Sequence, residues 1–492
     1  MTTTTQAGVM EARRRRPERA GVTGLWSITW HLIRARFTSK QGGAFLFAGA
    51  ILSALITSAL TLTVAGGTYM FYTRWQHPRG LHAQIMAGDP QFEMMLRIYI
   101  ILALVACVIL APLAARLTAN ATVLGGKGRE QRLASLRLLG LSSGDVRHMT
   151  LIEALIQSIV GVLLGTAVYF ATLPAWSRLS MEAMPIEPRE MVLPWWLIVL
   201  LDAVLVVISV AAAGVGVHKL RVSPLGVAHG SRVKRVSGWV GLAGVAVIIG
   251  TVVVYSAAVT HVHYAQVAYV LIGLVVGLVV GFSLFMTWVF SALSGLGSHL
   301  GGASVMLASR RVQADARSVW RRVGPMAFLA FIAGWMSFFP ITTNASGANA
   351  QESYFMRHSA MDIQNGVLLT LAIGLVLAAT GTLMSQAADV FDRATETRSL
   401  LKMGVQPGFA ARVAWLETLI PLVLSLLVGV GLGFAGGYPS YRAAADTFEQ
   451  LHPTPQEPII ILAIGLVLTM LALWASNPLR RRVARLQRRR ND

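Results

Sequence analysis

Stretches of about twenty predominantly apolar residues recur ten times along this chain, and each is long enough to cross the hydrocarbon core of a bilayer as a helix. That one feature leaves few folds open. A backbone in lipid must satisfy its own hydrogen bonds, and at this length a helix does so within each segment. The runs fall at roughly 43–66, 97–117, 150–173 and 194–217, then 238–258 and 264–290, then 324–343, 365–384, 412–434 and 458–475. Only 13% of the 492 residues are charged, about half the share that a soluble surface carries. The expected fold class is an all-α integral membrane protein of about ten transmembrane helices, grouped as four, two and four.

The basic residues orient it. With both termini inside, the inner segments hold about 35 of the 42 Lys and Arg and the outer segments about 7. The expected location is the plasma (inner) membrane, with both termini cytoplasmic. The net charge of +20 sits in short clusters between apolar runs without a nucleic-acid motif, which points to anionic headgroups and topology rather than nucleic acid. Cys107 is the single cysteine, so no intramolecular disulfide and no Cys/His metal cluster is available. The N-terminal segment does not read as a cleavable signal. Residues 1–24 read as a disordered basic N-terminus, with Arg13 to Arg16 a topology signal or a lipid contact.

Two segments carry a helical apolar stripe beside basic residues. GLWSITWHLIRARFTSK, with Trp26, Trp30, Ile33 and Phe37 in register, reads as an interfacial helix before the first span. LASRRVQADARSVWRR precedes the seventh in the same way. The repeat these hint at is clearest 264 residues apart. Residues 132–155 read RLASLRLLGLSSGDVRHMTLIEAL and residues 396–419 read ETRSLLKMGVQPGFAARVAWLETL. Ser135 pairs with Ser399, Leu136 with Leu400, Gly140 with Gly404, Glu153 with Glu417 and Gly165 with Gly429. Each copy lies between the second and third spans of its half, so the halves are parallel about an axis along the membrane normal. Each copy reads as a short helix, a glycine turn in the left-handed region, and a second helix entering the membrane. Ser142, Ser143 and Asp145 can cap that second helix in the first copy, and Pro407 can start it in the second.

This pattern, charged-x-x-x-Leu-Arg-x-Leu-Gly followed by a basic helix ending in Leu-x-Glu-Ala, resembles the FtsX-like permease family, the membrane subunits of type VII (MacB-type) ABC transporters. The resemblance covers most of residues 25–225 and 300–480 and includes the basic exits Ser223-Pro224-Leu225 and Asn477-Pro478-Leu479. It implies a first four-helix half over 25–235, a two-helix linker over 236–292, a second half over 293–480 and a basic tail over 481–492. It also implies two elbows that dock an ATPase, carried by Arg132, Leu136, Arg137, Gly140 and Val146 in the first copy and by Glu396, Leu400, Lys402 and Gly404 in the second. The copies differ: Arg132 stands where the family commonly has an acidic residue, Glu396 keeps it, and Leu401 takes the usual arginine position beside Lys402. The large extracytoplasmic domains usual in MacB-like members are absent.

No G-x-x-x-x-G-K-[ST] is present, and GGKG at 125–128 lacks its spacing and reads as a loop. The chain is therefore expected to bind no cofactor itself and to be no enzyme. ATP and Mg would belong to a partner, a cytoplasmic P-loop ATPase acting as a dimer; membrane lipids are the other expected partner.

Asp202, inside the fourth span, is either a substrate or proton site or a hydrogen-bonded packing residue. Glu153 and Glu417, at the start of their spans, read as structural carboxylates near helix N-termini. His261 and His263 form an H-x-H in a short turn, and His77 and His82 read as ordinary outer-loop residues. Pro112 and Pro421 fall in or near spans as kink sites, and GVGLGFAGG at 429–437 as a close packing face. The leading expectation is an ABC permease exporting or extracting an amphipathic lipid, peptide or drug. The alternatives are an ion-gradient-driven transporter and a membrane sensor working with an ATPase.

Overall fold

The computed structural model describes residues 43–89, 92–127, 143–221, 236–259, 264–297, 299, 302–338, 350–445 and 456–475. Ten long helices dominate them: α1 (Gly43–Gln76), α3 (Phe92–Lys127), α4 (Ser143–Trp176), α5 (Trp195–Arg221), α6 (Gly238–Val259), α7 (Tyr264–Gly297), α9 (Ala316–Met336), α10 (Ala350–Asp392), α12 (Pro407–Ala445) and α13 (Gln456–Ala475). Three short helices join them: α2 (Leu81–Gly88), α8 (Ala303–Ala314) and α11 (Ala394–Lys402). A small antiparallel hairpin, β1 (Ser180–Met181) and β2 (Met184–Pro185), follows α4. The chain is an all-α membrane protein.

Among the described residues, eight helices are long and apolar enough to cross a membrane. The other two of the expected ten are α9, which begins with Arg317, Arg321 and Arg322, and α13, a 20-residue helix that is apolar from Ile459 to Ala475. Other expectations shift as well. The seventh helix begins at Ala316 rather than near 324, because its basic lead continues the helix after Asp315, whose side chain accepts the Ser318 N–H. Gly125–Lys127, expected as a loop, form the last turn of α3. The interfacial helix before the first span, the H-x-H turn and both Pro-containing exits lie outside the described residues.

Packing repeats between the halves. α1 crosses α4 as α9 crosses α12, and α3 lies on α5 as α10 lies on α13. A Cβ on Gly165 would sit 2.6 Å from Leu55 O and against Ser58, and one on Gly429 would strike Ala327 O and Ala330. Only a residue with no side chain permits either crossing. These contacts align α1 with α9 at an offset of 272 residues, while α4 and α12 keep 264. The halves meet where α3 packs along α10. There Leu110 approaches Gly374, its own counterpart 264 residues on, to 3.3 Å from the Cβ that Gly374 lacks. A residue touching its own equivalent marks a local twofold axis. The linker helices α6 and α7 pair with each other, and α7 leans on α3 and α9, where Trp320 Nε1 donates to Ser283 Oγ at 2.6 Å.

The largest apolar core joins α3, α7, α9, α10, α12 and α13 around Leu113, Phe290, Met326, Leu371 and Leu422. A smaller one, around Leu62, Tyr169, Leu173 and Ile186, fills the first half toward the hairpin.

Candidate functional site: an elbow and an intramembrane polar tract

The second elbow is fully described. α11 ends at Lys402, and the chain reverses through Gly404, whose φ of 86° is the left-handed value that favours glycine. Val405 N–H donates to Leu400 O at 3.1 Å, the six-to-one bond of a helix end closed by a glycine. Pro407 then opens α12. Glu396, Lys402 and Met403 face solvent and Leu400 is half-buried. Of the first elbow, Arg132, Leu136, Arg137 and Gly140 lie outside the described residues, and Val146 falls in the first turn of α4.

What fastens the second elbow is a group of charges. Glu417, buried in α12, takes both ends of the Arg393 guanidinium, at 2.5 and 2.7 Å. Arg322 of α9 stands 3.4 Å away and Arg311 of α8 3.7 Å. Arg322 also pairs with Asp389 near the end of α10. Arg311 reaches Glu396 of α11 at 2.6 Å. A buried carboxylate is tolerated only when paired and hydrogen-bonded, and here three arginines from three places in the chain surround it. α8, α9, α11 and α12 and the end of α10 are thereby held together. Glu153, the counterpart in α4, is also buried and accepts from Gln157 Nε2 at 3.2 Å. The position matching Arg322 is Ala50.

Asp202 lies between α1, α4 and α5. Ser58 Oγ donates to Oδ1 at 2.7 Å and Thr166 Oγ1 to Oδ2 at 2.6 Å. Both donors sit at the Gly165 crossing. Their counterparts in the second half are Ala330 and Val430, and that of Asp202 is Leu466. Toward the elbow end, a small cleft in the first half is lined by Ala50, Ala54, Thr118, Gln157, Ser158 and Ser209. The matching residues are Arg322, Met326, Thr382, Pro421, Leu422 and Leu473. At these six positions the first half carries four polar side chains and the second half two, Arg322 and Thr382.

A third cluster was not foreseen. At the hairpin end, Arg74 is buried, and so is His82, contrary to the reading of His82 as an ordinary loop residue. Arg74 gives Nε and Nη2 to Glu190, Nη1 to Met181 O and Nη2 to Pro185 O, at 2.7–2.9 Å. His82 Nε2 meets Glu182 O at 2.9 Å; a carbonyl only accepts, so that nitrogen carries the proton. Burial lowers the His82 pKa, and burial raises that of Glu182 to about 8 despite Arg74 nearby. The sequence holds no signal for this cluster, because its members come from four separate segments.

A family model for the FtsX-like permease C-terminal region matches residues 103–224 and again 368–486. Each match runs from the second span of a half, through its elbow, to the exit after its fourth span. The chain belongs to the FtsX-like permease family. It is a two-repeat permease, of a family of non-catalytic ABC-transporter membrane subunits that generally work with a cytoplasmic ATPase. Compared with curated proteins and with solved structures, this permease has no match.

Proposed function

We propose that the chain is the permease subunit of an ABC transporter that exports or extracts its cargo, driven through its two elbows by two copies of a cytoplasmic P-loop ATPase. The observation that carries this reading is the second elbow: a helix, a left-handed glycine and a second helix, fastened to the bundle through Glu417. Force applied at α11 has a short route to α8 and α9 through Arg311 and Glu417. Two elbows on one chain supply the twofold surface that a symmetric ATPase dimer needs. ATP and Mg belong to that partner.

The elbow end is assigned to the cytoplasm, and the hairpin to the outside, because about 35 of 42 basic residues fall on the elbow side. The cargo proposed is amphipathic, a lipid, peptide or drug taken from the membrane. The polar interior of the first half would carry its headgroup, with the apolar remainder in lipid. The gradient-driven alternative gains little: Asp202 engages both oxygens with hydroxyls of its own half, as a packing role requires.

The test is affinity purification in mild detergent from the native membrane. A P-loop ATPase is expected to co-purify. A well-folded permease that retains no ATPase under several detergents overturns the proposal.

A further inference from the structure

The hairpin between α4 and α5 reverses through Glu182 and Ala183, both at φ 59°. Two consecutive left-handed residues make the tight turn that suits a two-residue hairpin, and asparagine or glycine is the ordinary choice for it. Here the first position is a glutamate with no exposed surface. Among the described residues, neither of its carboxyl oxygens has a hydrogen-bond partner. The nearest cation, Arg74, is 3.5 Å away and already engaged with Glu190 and two carbonyls.

The turn is seated on the second half of the protein. Asp362 Oδ2, buried in α10, accepts the Ala183 N–H at 3.1 Å, and the Glu182 N–H points to the same carboxylate. The Tyr99 hydroxyl of α3, also buried, faces both acids. Around the turn stand Arg74 from α1, His82 from α2, Tyr99 from α3, Glu190 from the segment after β2, and Asp362 and His358 from α10. Three carboxyl groups therefore share one guanidinium. Two of them belong to different halves and meet away from water. Ionising both beside a guanidinium already engaged by Glu190 and two carbonyls is unfavourable, and a proton on Glu182 removes that repulsion.

We propose that Glu182 and Asp362 form a proton-binding site at the outer end that holds the hairpin of the first half against α10 of the second, and that losing the proton to water frees the hairpin. Nothing assigned to the elbows or to transport is needed for it. The sign follows from Glu182. Packed, it keeps its proton up to about pH 8, whereas an exposed glutamate gives it up near 4.5. The seated hairpin is therefore favoured at low pH and loosens as pH rises from the ordinary carboxylate range through about 8. His82, its pKa lowered by burial, stays neutral across the upper part of that window.

The experiment places nitroxide labels on Glu187→Cys and Gln351→Cys, both exposed positions, in a Cys107→Ser background of the full chain. The distance distribution between them is measured by pulsed electron spin resonance at pH 6 and pH 9. One short distance is expected at pH 6, with a second, longer population at pH 9. Glu182→Gln, a permanently neutral side chain, should keep the short distance at both. Glu182→Met serves if that variant does not fold and carries the same expectation. A distribution that does not change with pH, or that changes equally in the neutral variants, overturns the proposal.

Discussion

The first half of this permease holds a carboxylate hydrogen-bonded inside the membrane bundle, and the second holds a cluster of charges at its elbow. Ser58 and Thr166 each donate to Asp202 at the α1–α4–α5 crossing, where the second half has Ala330, Val430 and Leu466. Conversely, Arg322 and Arg311 reach the buried Glu417, while Ala50 stands at the first-half position matching Arg322. The backbone crossing is nevertheless the same, set by Gly165 in one half and Gly429 in the other. A duplicated unit has kept its geometry and divided its chemistry: one half has an intramembrane carboxylate, the other a charged joint.

The largest expected effect tests that joint. Glu417→Gln leaves three guanidiniums around a neutral amide, and breaking a buried pair costs about 3–5 kcal/mol. Glu153→Gln should cost about 1 kcal/mol, the scale of an ordinary hydrogen bond. Thermal unfolding in detergent compares them, and equal losses would remove the contrast. Next come Gly165→Leu and Gly429→Leu. Each drives a side chain into a facing backbone, at a cost of about 1–3 kcal/mol. Matched losses support the shared geometry, whereas a large effect in only one half breaks it.

The glycine result also shows what the sequence makes legible. Period and offset reveal the helices, the parallel repeat, the Gly404 turn and the glycine face at 429–437, since these follow from local rules of lipid, helix and turn. Gly429, Gly433 and Gly437 do lie against the α9 backbone. The partners of Glu417 and the burial of Arg74, His82 and Glu182 follow no local rule. Arg393 lies 24 residues from Glu417 and Arg322 lies 95 away, and Glu182 lies 100 from His82. Asp202 is intermediate: its place in a span is plain from sequence, but its hydroxyl partners depend on a helix crossing 144 residues away.

The smallest effect concerns that site. Replacing Asp202, Ser58 and Thr166 together by Leu, Ala and Val, the residues of the second half, should change stability by less than about 1 kcal/mol, because donors and acceptor leave together. Asp202→Leu alone should cost more than the triple variant. A triple variant that keeps its fold and loses transport would give the polar interior a cargo role; one that keeps both would make it packing.

The central claim is that both elbows hold the ATPase. Native mass spectrometry of the purified complex counts ATPase copies per permease for wild type, Gly140→Pro, Gly404→Pro and the double variant, since proline cannot adopt the left-handed turn. The account predicts two copies on wild type, weakened binding in each single variant and none in the double. Two ATPases retained by a well-folded double variant would contradict it.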